Sequence, residues 1–130
     1  MGAGGVHFDE SDGSLDFLGD VAESRDWVEV DQRVRDYVTN GGYDDAEETL
    51  AALELVAAAL GRASPRLAAD LREWAAAHAQ AAQALREQSL AAAALVLDKS
   101  ELQELWAEAD EGDAWRATVI DLQTRLSGIK

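Results

Sequence analysis

The last quarter of the chain constrains the fold most. Ser100 to Leu126 reads SELQELWAEADEGDAWRATVIDLQTRL, and two apolar stripes run through it at helical spacing. Leu102, Leu105, Trp106 and Ala109 form the first, and Trp115, Val119, Leu122 and Leu126 the second. Asp110-Glu111-Gly112-Asp113 separates them. Ser100 with Gln103 has the form of a capping box, in which a hydroxyl and an amide satisfy free N–H groups at a helix start. Two short amphipathic helices, each with a Trp near the joint, cannot bury their stripes alone. The preceding chain must supply the partner surface.

That chain is punctuated as a helical protein. Residues 1–13 are a glycine-rich lead-in that folds back with Val6 and Phe8 as anchors. A first helix is predicted from Ser14 to about Ala22, with Leu15, Leu18 and Val21 inward and Asp12 and Asp16 near its positive end. Trp27, Val30, Val34 and Val38 mark a second helix, about Asp26 to Thr39, closed by Asn40-Gly41-Gly42. Asp44-Asp45 opens a third, with the dipole-matched Glu47 and Glu48 in its first turn. Its stripe is Leu50, Leu53, Val56, Ala57 and Leu60, and Gly61 ends it. Ser64-Pro65 has the hydroxyl-then-proline signature of a fourth start, followed by Leu67, Leu71 and Trp74. The register is lost at 78–80, where a turn is expected. A fifth helix then runs over about 81–97 through Leu85, Leu90 and Val96. The fold class is therefore all-α: one domain over residues 1–130, an irregular bundle of six or seven short helices. Trp27, Trp74, Trp106 and Trp115 all fall on inward stripes, which predicts a sealed, tryptophan-plugged core.

Composition narrows the function classes. Much of the 48% apolar content is Ala, so the core must rest on Leu, Val and the aromatics. The 26 acids against 11 bases give a formal charge of −15, which repels phosphate backbones and anionic lipid. Nucleic-acid and membrane binding are thereby disfavoured, and a basic protein partner is favoured. The charge is uneven: residues 1–48 hold 14 acids and 3 bases, residues 98–113 seven and one, while 62–86 hold four bases and two acids. Should the two acidic regions meet, they make one acidic face. The absence of cysteine fits a reducing, cytoplasmic setting. The longest apolar run, Leu90 to Leu97, is eight residues, against the ~20 that span a bilayer. The start has neither the pattern of a signal peptide nor the Ser or Thr of a myristoylation site.

Both ends of the chain resemble one bacterial family, the domain of unknown function numbered forty-two fifty-nine. At the start the resemblance rests on Met1-Gly2-Ala3-Gly4-Gly5, Phe8-Asp9 and Asp16-Phe17. At the close it rests on Ser100-Glu101-Leu102-Gln103-Glu104-Leu105-Trp106 and Ala114-Trp115-Arg116. Gly4 stands where the family usually has Trp, and Val6-His7 where a Gly is common. The resemblance implies a small, mostly helical fold and brings no activity, cofactor or catalytic residue.

Reactive constellations are not evident in the sequence. Asp9-Glu10-Ser11-Asp12-Gly13 is rich in oxygen ligands but lacks the spacing of a calcium loop, and His7 and His78 are 71 residues apart. There is no Cys nucleophile, no Gly-x-Ser-x-Gly elbow and no phosphate-cradling loop. The expectation is a non-enzyme without cofactor or metal: a small acidic intracellular binding protein, of inhibitor or immunity type, that blocks a basic partner such as a toxin or nuclease. Its contact residues would be Asp9, Asp12, Asp16, Asp20, Glu104, Glu108, Asp110 and Glu111. The alternative is a homo-oligomeric module pairing through its Ala-rich helices. A metal or small-molecule binder is the third reading.

Overall fold

The computed structural model describes residues 5–128. Among them are a 3-10 turn, Phe8–Glu10, and eight α-helices. These are α1 (Asp12–Ser24), α2 (Trp27–Thr39), α3 (Ala46–Ala59), α4 (Ala69–Ala76), α5 (Ala79–Ala84), α6 (Arg86–Lys99), α7 (Glu101–Ala107) and α8 (Gly112–Ser127). The class is all-α, as the periodicity predicts, and the helices share one contiguous apolar core. No helix among the described residues is long and apolar enough to cross a membrane.

The organising element is α3. Every residue from Thr49 to Ala59 is buried, so this helix has no solvent stripe over most of its length. A helix apolar all round belongs inside, and α1, α2, α4, α6 and α8 all pack around this one. Its alanines let neighbouring backbones approach closely. Leu53, Leu55 and Val56 are fully buried, each worth about 1.5–3 kcal/mol relative to exposure. The single stripe expected for α3 is therefore corrected to burial on every side.

The helix ends follow local chemistry. Ser11 caps α1, its hydroxyl accepting from the Ser14 N–H at 3.3 Å, and Asp26 caps α2 through the Val28 N–H at 3.0 Å. Ser100, fully buried, joins α6 to α7. Its hydroxyl donates to the Val96 carbonyl at 2.6 Å and accepts from the Gln103 N–H at 2.8 Å. Gly42, at φ +63, closes the α2–α3 turn, where a Cβ would lie 2.7 Å from the Tyr37 ring.

Three local expectations are corrected. Ser64-Pro65 does not begin a helix. The Leu67 N–H donates to the Ser64 carbonyl at 3.1 Å and closes a turn, Ala68 is extended at ψ 141, and α4 starts at Ala69. Proline's fixed φ suits the second position of such a turn as well as a first helical turn. The helix expected over 81–97 is divided at the buried Leu85, with α5 on one side and α6 on the other. Leu15 and Leu105, both placed on inward stripes, are 50% and 44% exposed. The buried positions of α1 are Ser14, Leu18 and Val21, and Leu15 sits one helical step off that face. In α7 the buried pair is Leu102 and Trp106.

The N-terminal segment does fold back: Val6 and Phe8 pack, partly buried, against the core. The Thr118 hydroxyl, which donates within α8 to the Trp115 carbonyl at 2.7 Å, also lies 3.3 Å from the Val6 carbonyl. The first four residues of the 1–13 lead-in lie outside the described residues, and its last two already belong to α1. At the opposite pole Trp27 stacks on His78 with centroids 5.1 Å apart, and Trp74 tilts against both.

Candidate functional site

Two features stand out, an acidic groove on the surface and a cavity beneath the N-terminal segment. The groove lies where the α2–α3 turn meets the start of α7. The Glu101 N–H donates to the Tyr43 carbonyl at 3.0 Å, and the Tyr43 hydroxyl donates to Glu104 at 2.8 Å. These bonds set Asp44, Asp45, Glu47 and Glu48 opposite Glu101 and Leu105. Asp45 takes a left-handed conformation, φ 65, which Asp tolerates better than most residues, and Arg33 lies 3.5 Å from its carboxylate. Tyr43 and Leu105 stand exposed beside the carboxylates. The hydrogen bond to Glu104 holds the Tyr43 phenol above its ordinary range.

The sequence nominated other acids, and the structure distributes them. Asp9 is paired with Arg66 at 2.7 Å. Asp12 is in the first turn of α1, and its charge bears on Glu47. Asp16 and Asp20 are exposed farther along α1, and Glu108, Asp110 and Glu111 are exposed at the α7–α8 joint. Glu104 alone among the eight is bonded into the groove. So the end of the first acidic region meets the beginning of the last one, through residues that sequence reasoning read only as helix-dipole partners. The run Tyr43-Asp44-Asp45-Ala46-Glu47-Glu48, four acids behind one aromatic, is the signal that could have found them.

The cavity, about 350 Å³, corrects the expectation of a sealed core. Residues 5–8 and Ser11 cover it, α3 contributes Leu50, and α7 and α8 contribute Trp106 and Trp115. The two indole planes are 7° apart, with centroids at 6.5 Å. Polar groups enter the wall at defined points. Glu54, with only 5% of its side chain exposed, receives a two-pronged bond from Arg125 at 2.8 and 3.0 Å. Arg125 Nε donates to Asp121 at 2.8 Å. Glu47 lines both the groove and the cavity, with Gly13 and Ser11 close by. Among the described residues no group of three or more His, Cys, Asp or Glu is placed to hold a metal ion.

Burial pushes the Glu47 carboxyl up, and the charges of Glu48 and Asp12 add to the effect; burial raises the Glu54 carboxyl too, against the bond and charge of Arg125, which lower it. A carboxyl raised in the fold binds more protons than in the unfolded chain. Its contribution is complete below the ordinary Glu value of ~4.3 and is lost as pH rises through the higher folded value. Thermal melts are therefore expected to rise as pH falls from neutrality toward the ordinary Glu value, with a smaller rise in Glu47→Gln. A melting point that falls steadily over that range would contradict this.

Helical scaffold, acidic groove and cavity belong to one small all-α domain. The chain belongs to the family of the domain of unknown function DUF4259, whose family model matches residues 2–118. The second half of α8, with Arg125, lies beyond that span. No curated protein and no solved structure matches the chain.

Proposed function

We propose that this protein is a small acidic binding protein that holds a basic segment of a partner protein in the groove between the start of α3 and α7, as an inhibitor or immunity-type protein would. The observation that carries the reading is the juxtaposition of Asp44, Asp45, Glu48 and Glu101 with the exposed Tyr43 and Leu105. Negative potential steers a basic target, and an aromatic or aliphatic side chain among the charges gives it an anchor. A site on the partner evolved for phosphate would be blocked by the same carboxylates. A reducing cell interior suits a chain without cysteine.

The test is affinity capture from the native cell, at low and at high salt, with the wild type and with Glu48→Lys/Glu101→Lys. The expected result is one basic protein that the wild type retains at low salt and releases at high salt. The double variant does not retain it, and stoichiometric wild type suppresses its activity. Retention of an acidic partner, or equal retention by the charge-reversed variant, refutes the reading. Self-association would rest instead on the alanines exposed along α4 and α5, among them Ala69, Ala76, Ala79 and Ala84. A mass that grows with concentration in light scattering would favour that alternative.

A further inference from the structure

We propose that the cavity beneath residues 5–11 is a binding site for a small organic cation, a protonated amine on an aromatic or aliphatic body. Size sets the first limit. At about 350 Å³ the space is at the lower end of the ~300–1,000 Å³ typical of small-molecule sites, enough for one compact ligand and too little for a dinucleotide. The walls set the second: Trp106, Trp115, Leu102 and Phe8 present the apolar and aromatic surface that such a body needs.

Charge decides the polar end. Of the basic side chains that line the cavity, His7, Arg66 and Arg125, the two guanidiniums are already engaged. Arg125 is forked on Glu54 and bonded to Asp121, and Arg66 is bonded to Asp9, with Glu10 at 3.9 Å. Glu47 differs. It lies near Ser11 and Gly13, yet no basic side chain forms an ion pair with it among the described residues. Burial disfavours its bare charge, and an ammonium group would supply the missing countercharge by a charge-assisted bond. An aromatic lining with one uncompensated carboxylate is the arrangement that selects a cation over its neutral isostere. The acidic groove, which shares Glu47 with the cavity, concentrates cations at its edge.

The cover gives access. Its links to the body include the Thr118 contact with Val6 and the Arg66 bridges to Asp9 and Glu10, all at or near the surface. A segment so held opens at small cost compared with the core.

The experiment is calorimetric titration, with thermal melts in parallel, of the full chain with phenethylammonium and hexylammonium. The neutral 3-phenylpropanol and the anionic 3-phenylpropionate are the comparators. One site is expected for at least one of the two ammonium probes. The alcohol should bind about tenfold more weakly, and the propionate should produce no shift. Glu47→Gln, isosteric and uncharged, should lose about tenfold in affinity. Glu48→Gln, which alters the groove but not the cavity lining, should stay within about twofold. Val119→Phe narrows the cavity and should abolish binding; Thr118→Leu replaces it if that variant does not fold. Equal binding of alcohol and amine overturns the proposal. So does unchanged affinity in Glu47→Gln or in the cavity-narrowing variant, or no binding of either ammonium probe.

Discussion

Replacing Arg125 by methionine is expected to cost about 3–5 kcal/mol of stability, with the melting point falling by roughly 10–20 °C. Among the described residues Arg125 is the one base bonded to Glu54, a carboxylate from the middle of the most buried helix. Its fork satisfies both oxygens, at 2.8 and 3.0 Å, and a further N–H reaches the Arg62 carbonyl at 3.3 Å. One side chain thus ties α3, the loop after it and α8. With the guanidinium gone, the carboxylate is left charged without a partner or must take up a proton. The deficit should therefore shrink as pH is lowered toward the raised value of Glu54, which distinguishes a stranded charge from lost packing. Glu54→Leu/Arg125→Met removes both charges and should recover most of the loss, because a buried ion pair contributes little beyond its apolar replacement. Urea unfolding of the four proteins closes the cycle. A loss under about 1 kcal/mol in the single variant would show that the pair is open to water.

The same pair shows where sequence reading runs out. The stripes of α2 and α8 were legible because Leu, Val and Trp recur against a polar background: Trp27, Val30 and Val34, then Trp115, Val119, Leu122 and Leu126, are all buried as expected. The helix stops at Gly41-Gly42 and Gly61 and the Ser100 cap were legible because they are local chemistry. Alanine carries almost no contrast, so Leu50 to Ala59 looked like one stripe when all of it is inside. Glu54 stands inside that run with no local mark of a partner, since Arg125 lies 71 residues away. Ser64-Pro65 opens a turn or a helix with the same first dihedral angles, and only the burial of Leu67 decides between them. The cavity had no local signature, since its lining joins residues 5–8 to α3, α7 and α8. The groove acids were legible one by one as helix-start charges, and their meeting with Glu101 depends on a bond between Tyr43 and α7.

Trp115→Ala is expected to remove about 3 kcal/mol and to lower the melting point by roughly 10 °C. The indole is 2% exposed, opens the stripe of α8 and lies parallel to Trp106 across the joint. Truncating a buried Trp usually costs about 3–5 kcal/mol. The lower end applies here because the ring already borders a cavity of about 350 Å³, so part of its surface has no packing partner to lose. A Cβ on Gly112 would lie 2.3 Å from the Trp106 carbonyl oxygen, so the α7–α8 turn admits no larger residue there without a shift. This loss should be independent of pH, in contrast to that of Arg125→Met. It should also exceed the loss from Trp74→Ala, whose ring is only partly buried. Thermal melts of the two tryptophan variants at two pH values read both comparisons. A Trp115→Ala protein that melts with the wild type would mean that α8 is held by Leu122 and Leu126 without the stacked pair.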